Sequence, residues 1–164
     1  MYPWDDENGY LKILRGDNIR NYEVTSIIGK GVFGSVIKCV ETSSQREVAM
    51  KIIRSQKIYA ASGEREQQVL TQLNAEDING SLYFYNVDKK NIVRLLEYFT
   101  HQKHLCMVME CFDMNLRETF PKIPRFPVPI ATLQSYAQSL LKTLYFLKKR
   151  GIIHADSKCL IKLS

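Results

Sequence analysis

The sequence predicts an α+β fold: a five-stranded antiparallel sheet with one helix, followed by the first helices of a second, helical region. Three observations predict it. Runs rich in Val, Ile, Tyr and Phe fill the first half, separated by short polar or glycine-bearing turns. One helical pattern interrupts them over residues 62–74. The second half then leaves the two-residue period for a long apolar helix pattern over residues 130–151.

Taken in order, "YEVTSIIGKGVFGSVIKCVE" gives two strands around a glycine-rich turn, a hairpin signal. "REVAMKIIR" is a third strand. "SGEREQQVLTQLN" is a helix with Val69, Leu70 and Leu73 at helical spacing. Ser62 is its candidate cap, and Arg65 stands where a capping box wants Glu or Gln. "AEDINGSLYFYNVDKKN" is a loop. "IVRLLEYFTHQKHLCMVME" gives two more strands around the polar turn "THQKH". "DMNLRETF" starts a short helix, and "PKIPRFPVP" is an extended connector. "IATLQSYAQSLLKTLYFLKKRG" is a long helix. Gly151 marks its end, with Lys148, Lys149 and Arg150 suited to the negative end of the helix dipole.

The 164 residues amount to one ordinary domain, and 45% hydrophobic against 24% charged residues is a globular balance, not a disordered one. Lys and Arg number 23 against 17 acids, a formal charge of +6. The basic residues run from Lys12 to Lys162, a solvated surface and not a binding stripe. The one local concentration is Lys142, Lys148, Lys149, Arg150, Lys158 and Lys162. Direct nucleic-acid binding is therefore not expected. Four cysteines without C-x-x-C spacing give no metal motif and no disulfide framework, which fits an intracellular, reducing setting. The acidic, aromatic start is no signal peptide, and no apolar run approaches the ~18 residues of a membrane span.

The residues that could carry chemistry fall at definite places in this scheme. "IGKGVFGSV" (Ile28 to Val36) sets Gly29, Gly31 and Gly34 in a G-x-G-x-x-G-x-V pattern. The glycines lie between two strands, whereas a dinucleotide fold places them between a strand and a helix. Glycine there lets backbone approach phosphates, and a plain β-turn is the alternative. Lys51 follows Gly34 on the next strand, sharing a face with Ala49. A phosphate-binding lysine needs an acidic partner. Glu66 shares the inward face with Leu70 and Leu73, and Glu64 is the offset alternative. "LCMVMECF" is a buried strand ending in a short turn, and "IIHAD" follows the long helix.

Together these motifs resemble a eukaryotic protein kinase. "DDENGYLKILRGDNIRNYEVTSIIGKGVFGSVIKCVE", "EVAMKIIR", "HQKHLCMVMECFDMNLRETF" and "HAD" in place of "HRD" are similar to the pre-mRNA-processing factor four kinase family. That family lies in the CMGC group, near the CDC-like and dual-specificity tyrosine-regulated kinases. The resemblance implies an N-terminal extension over 1–21, a kinase smaller lobe and hinge over 22–112, and the start of the larger lobe over 113–164, ending in the catalytic loop. It implies a Ser/Thr kinase that uses ATP and Mg2+, resides in the nucleus and acts on spliceosomal proteins.

It also implies roles for individual residues. Ile28, Gly29, Lys30, Gly31, Val32, Phe33, Gly34, Ser35, Val36 and Ala49 would border the nucleotide. Lys51, held by Glu66, would reach its phosphates. The Glu110 carbonyl and the Phe112 amide would bind adenine, with Met109 behind the pocket. Asp156 would accept the substrate hydroxyl proton, and Lys158 would balance charge on the transferred group.

After "HAD" the chain departs from the family. The family continues "IKPDNIL". Here Ser157 replaces the aliphatic residue, Lys158 is kept, and the position of the metal-binding Asn is Ile161, which has no oxygen for magnesium. No D-F-G aspartate follows, so no metal ligand is expected and the chain reads as C-terminally truncated and inactive as written. The alternative is a non-catalytic, kinase-like binding or regulatory module.

Overall fold

The computed structural model describes residues 2–75, 91–112 and 129–154. The chain divides into two compact units, Met1–Glu76 with Arg94–Cys111, and Asp77–Val93 with Phe112–Ser164.

The first unit is built on an antiparallel sheet of β1 (Asn18–Ile19), β2 (Tyr22–Lys30), β3 (Gly34–Glu41), β4 (Glu47–Ile53), β5 (Leu95–His101) and β6 (His104–Glu110). Their spatial order is β1-β2-β3-β4-β6-β5. The sheet has six strands where the sequence predicts five, because Asn18 and Ile19 pair with Glu23 and Tyr22. Two residues carry too little pattern to be seen in a sequence. The β5–β6 turn places Gln102 and Lys103 both at positive φ, 46° and 66°. That is the mirror-image turn whose twist suits a hairpin, made here without glycine.

The two faces of the sheet are covered differently. Val48, Met50 and Ile52 on β4 are buried with Ile37, Cys39, Cys106 and Val108 on neighbouring strands. Their cover comes from the N-terminal stretch: Leu11 and Ile19 join this core, and Trp4 and Ile13 pack against it. Residues 1–21, an extension by sequence, thus supply one wall of the core.

The other face carries helix α1 (Lys57–Ala75), which packs on β4, β5 and β6. It begins five residues before the stretch marked as helical by the sequence. "KIYAA" is helical because it is rich in good helix formers. Ser62 is therefore not a cap. It lies inside the helix, and its hydroxyl donates to the Ile58 carbonyl at 3.2 Å. Leu70 and Leu73 turn inward, as their spacing predicts.

In the second unit, α2 spans Ile130–Lys149. Gly151 adopts φ 69°, and Ile152 N–H donates to the Leu147 carbonyl at 3.0 Å. This left-handed glycine closes the helix where the sequence places its stop. Phe146 and Leu147 are buried, whereas Leu141 and Tyr145 are exposed. The expected short helix at "DMNLRETF" and all of the proline-rich connector except Pro129 lie outside the described residues.

Candidate functional site

The hairpin glycines, Gly63 and one lysine set the geometry of the site. In the β2–β3 hairpin, Gly29 pairs with Val36 and Lys30 with Ser35. Gly31 N–H donates to the Gly34 carbonyl at 2.8 Å and closes the turn. Val32 and Phe33 stand exposed at its tip, and Ile28 is exposed on β2. Gly34 is needed for a reason beyond the turn. A Cβ there would lie 2.1 Å from the Ile52 carbonyl oxygen on β4. At Gly29 a Cβ would meet nothing within 4 Å among the described residues. The third glycine thus lets two strands approach, while the first leaves open space above the hairpin.

Strand register carries the hairpin to the lysine. Val36 pairs with Lys51, and Lys51 with Met107; Lys38 pairs with Ala49, and Ala49 with Met109. Directly paired residues share a face, so Val36, Ala49, Lys51 and Met109 lie on one side of the sheet. Ser35 pairs with Ile52 and lies on the other side, buried, and its hydroxyl has no partner among the described residues. Only its backbone belongs to the hairpin surface that holds Val36.

Lys51 Nζ donates to both Glu66 carboxylate oxygens, each at 2.6 Å. Packing explains how the pair forms. Gly63 is buried, and a Cβ on it would sit 2.7 Å from Ile53 Cγ1, so only glycine lets α1 come this close to the end of β4. Glu66 follows three residues later on the same helix face, and Lys51 precedes Ile53 by two on β4. The two charges meet because the two elements touch at Gly63 and Ile53. Glu64 is exposed, so the choice between the two acids falls to Glu66.

At the end of β6, the Glu110 backbone N–H donates to the Arg94 carbonyl at 3.2 Å, and its carboxylate accepts from the Arg94 N–H at 2.9 Å. Phe112 is half-exposed and belongs to the second unit. Asp156, Lys158 and Ile161 lie outside the described residues.

A glycine hairpin whose following strand carries a lysine paired to a helix glutamate is the arrangement that the motif resemblance implies. The family model "Protein kinase domain" matches residues 22–160. The chain belongs to the protein kinase family. Its similar proteins are CMGC-group kinases. Over 156 residues it is 34% identical to dual specificity tyrosine-phosphorylation-regulated kinase 2 of Drosophila melanogaster, covering 94% of this chain and 20% of that protein. It is 32% identical over 156 residues to the probable serine/threonine-protein kinase clkA of Dictyostelium discoideum, covering 94% and 16%. It is 32% identical over 157 residues to serine/threonine-protein kinase prp4 of Schizosaccharomyces pombe, covering 94% and 31%. The chain thus spans less than a third of the length of each of these kinases. Protein kinases as a family use ATP and Mg2+.

Three further features of the first unit escaped sequence reasoning. Asp5 is buried against His104, whose Nε2 lies 2.8 Å from Asp5 Oδ1 and whose Nδ1 donates to the Ile53 carbonyl at 2.7 Å. Ser55 Oγ donates to Asp5 Oδ2 at 2.5 Å. Burial raises the Asp5 carboxyl, but the hydrogen bonds from Ser55 and His104 and the charge on His104 outweigh it and hold it below its usual 3.8. Tyr10 and Arg54 gather at the hairpin tip. These contacts span up to 99 residues, and no local pattern announces them. Among the described residues, no helix is long and apolar enough to cross a membrane.

Proposed function

We propose that this chain forms the nucleotide-binding part of a serine/threonine kinase, with ATP phosphates held by Lys51. The observation that carries the proposal is the pair of 2.6 Å contacts between Lys51 and Glu66. A lysine alone on a strand is mobile. Both carboxylate oxygens of Glu66 fix its ammonium on the face that bears Val36 and Ala49. The hairpin from Ile28 to Val36 covers the nucleotide, and the open space at Gly29 admits phosphate close to backbone. Met109, Glu110 and Phe112 take the adenine, and Asp156 and Lys158 serve the transfer, as the family motif assigns them. Serine/threonine specificity belongs to the same proposal and is supported by the likeness to serine/threonine-protein kinase prp4; nuclear residence and spliceosomal substrates belong to it too and rest on the motif resemblance to the pre-mRNA-processing factor four kinase family.

The experiment is isothermal titration of the chain with a non-hydrolysable ATP analogue. Lys51→Ala removes a phosphate contact and Gly31→Val fills the turn, so both are expected to weaken binding at least tenfold. Equal affinity in wild type and both variants would show that the nucleotide does not bind here.

A second reading, a non-catalytic kinase-like binding or regulatory module, is favoured by Ile161. Magnesium neutralises the charge developing on the transferred group, and an isoleucine cannot ligate it. The residue present does not fit the metal. Metal-dependent phosphorylation of a generic Ser/Thr peptide is expected to be no greater than that of an Asp156→Ala control. Activity clearly above that control would exclude this reading.

A further inference from the structure

We propose that residues 2–17 act as a strap that positions the glycine hairpin, through Tyr10 of the strap and through Arg54, which follows β4 and bridges strap and hairpin, so that nucleotide affinity depends on groups outside the glycine motif. The proposal rests on the reading of that hairpin as a nucleotide cover.

The strap is fastened at one end. Trp4 Nε1–H donates to the Gln102 carbonyl at 2.8 Å in the β5–β6 turn, with Tyr2 stacked on Trp4 at 5.4 Å. The buried Asp5 engages His104 and Ser55. "DENGY" then folds into a tight turn: Asp6 Oδ1 accepts from the Asn8 and Tyr10 N–H groups at 2.9 and 3.0 Å, and Gly9 takes φ 77°. A Cβ on Gly9 would lie 2.7 Å from the Gln56 side chain, so the turn is also close-fitted against the entry to α1.

The free side of this turn meets the hairpin. Tyr10 Oη–H donates to the Gly31 carbonyl at 2.8 Å. Asp6 pairs with Lys30 at 3.5 Å, and the Lys30 ammonium lies 4.8 Å from the centre of the Tyr10 ring. Arg54 joins both bodies. Its Nε–H donates to the Asn8 carbonyl at 2.8 Å and its Nη1–H to the Val32 carbonyl at 3.0 Å. Its guanidinium lies 4.7 Å from the Tyr10 ring centre and 4.2 Å from that of Tyr59. Carbonyls of Gly31 and Val32, at the hairpin tip, are thus tied to groups that the glycine pattern does not contain. A glycine-rich turn is the part of a hairpin least able to hold one position by itself. Here the position is set from outside by two side chains, one of them fixed to a buried core.

The test uses the full chain as wild type, Tyr10→Phe and Lys51→Ala, with two readouts: amide hydrogen exchange of residues 30–35 and titration with a non-hydrolysable ATP analogue. Tyr10→Phe keeps the ring and its contacts with Lys30 and Arg54, and removes only the hydroxyl bonded to Gly31. It is expected to speed exchange in the hairpin while leaving β4 and β6 protected, and to weaken nucleotide binding roughly two- to tenfold. Lys51→Ala is expected to abolish binding without changing hairpin exchange. Unchanged exchange and affinity in Tyr10→Phe, in a chain where Lys51→Ala still loses binding, overturns the strap and leaves the site standing. Unchanged affinity in Lys51→Ala, with exchange still faster in Tyr10→Phe, overturns the site and leaves the strap's hold on the hairpin standing.

Discussion

Strand β4 has two faces with different work. On one, Val48, Met50 and Ile52 are all at most 1% exposed and sit in a core walled by the N-terminal stretch. On the other, Ala49 and Lys51 are only half-buried, and Lys51 spends its charge on Glu66. One face is bound by dispersion and exclusion of water. The other is kept partly open, with its polar groups fixed in place. A single seven-residue strand can hold both because successive side chains point to opposite sides. Substitutions on the core face are therefore expected to change stability, and substitutions on the lysine face to change binding.

The largest expected effect is therefore on the core face. Met50→Ala empties a fully buried site and is expected to cost about 2–5 kcal/mol by denaturant unfolding. A loss under 1 kcal/mol would mean that the N-terminal stretch does not seal this face.

The glycines extend the contrast to β3. Gly34→Ala places a methyl group against the β4 backbone at Ile52 and is expected to cost about 1–3 kcal/mol. Gly29→Ala meets open space and is expected to stay within about 0.5 kcal/mol of wild type. Equal losses at the two positions would show that the third glycine serves only the turn.

How far these distinctions could be seen in the sequence depends on their range. The alternation along "EVAMKII" and the 66, 70, 73 spacing on α1 are local, so the strand faces and the Lys51–Glu66 partnership were legible. The cover on the core face was not. Leu11, Ile13 and Trp4 carry no period that says which sheet they meet. The start of α1 was misplaced because Ser62 resembles a cap, when its hydroxyl serves an interior turn. Gly63 looked like part of a polar helix start. Its value lies in its closeness to Ile53, which only folding supplies.

The N-terminal stretch also ties stability to pH. The Asp5 carboxyl is held below 3.8, with burial opposing and its hydrogen bonds and His104 prevailing. Asp6 is lowered too, with burial opposing and bonds from the Tyr10 and Asn8 amides and the Lys30 charge prevailing. A depressed carboxylate stabilises the fold above its unfolded value, and that contribution is lost as pH falls through the folded value. Asp5→Asn is expected to cost about 1 kcal/mol at neutral pH. The gap to wild type should narrow as pH drops below 3.8. A gap that stays constant to pH 2 would show that the Asp5 charge does not hold the segment.

The smallest effect on stability is expected on the lysine face, where the two glutamates of α1 divide the outcome. Glu66 is only partly buried, and a half-exposed ion pair is worth at most about 1 kcal/mol once water screens it. Glu66→Gln should therefore unfold close to wild type, as should Glu64→Gln. Their binding should differ. With Glu66 neutral, Lys51 loses the two charged contacts that fix its ammonium and can swing away from a phosphate, so affinity for an ATP analogue should fall several-fold. Glu64 is exposed and absent from that pair, so its substitution should leave affinity unchanged. Loss of affinity in both variants would trace the effect to the net charge of the helix. Loss in Glu66→Gln alone, with unfolding midpoints that coincide, would show that this face of the sheet is built for a ligand and contributes little to the fold.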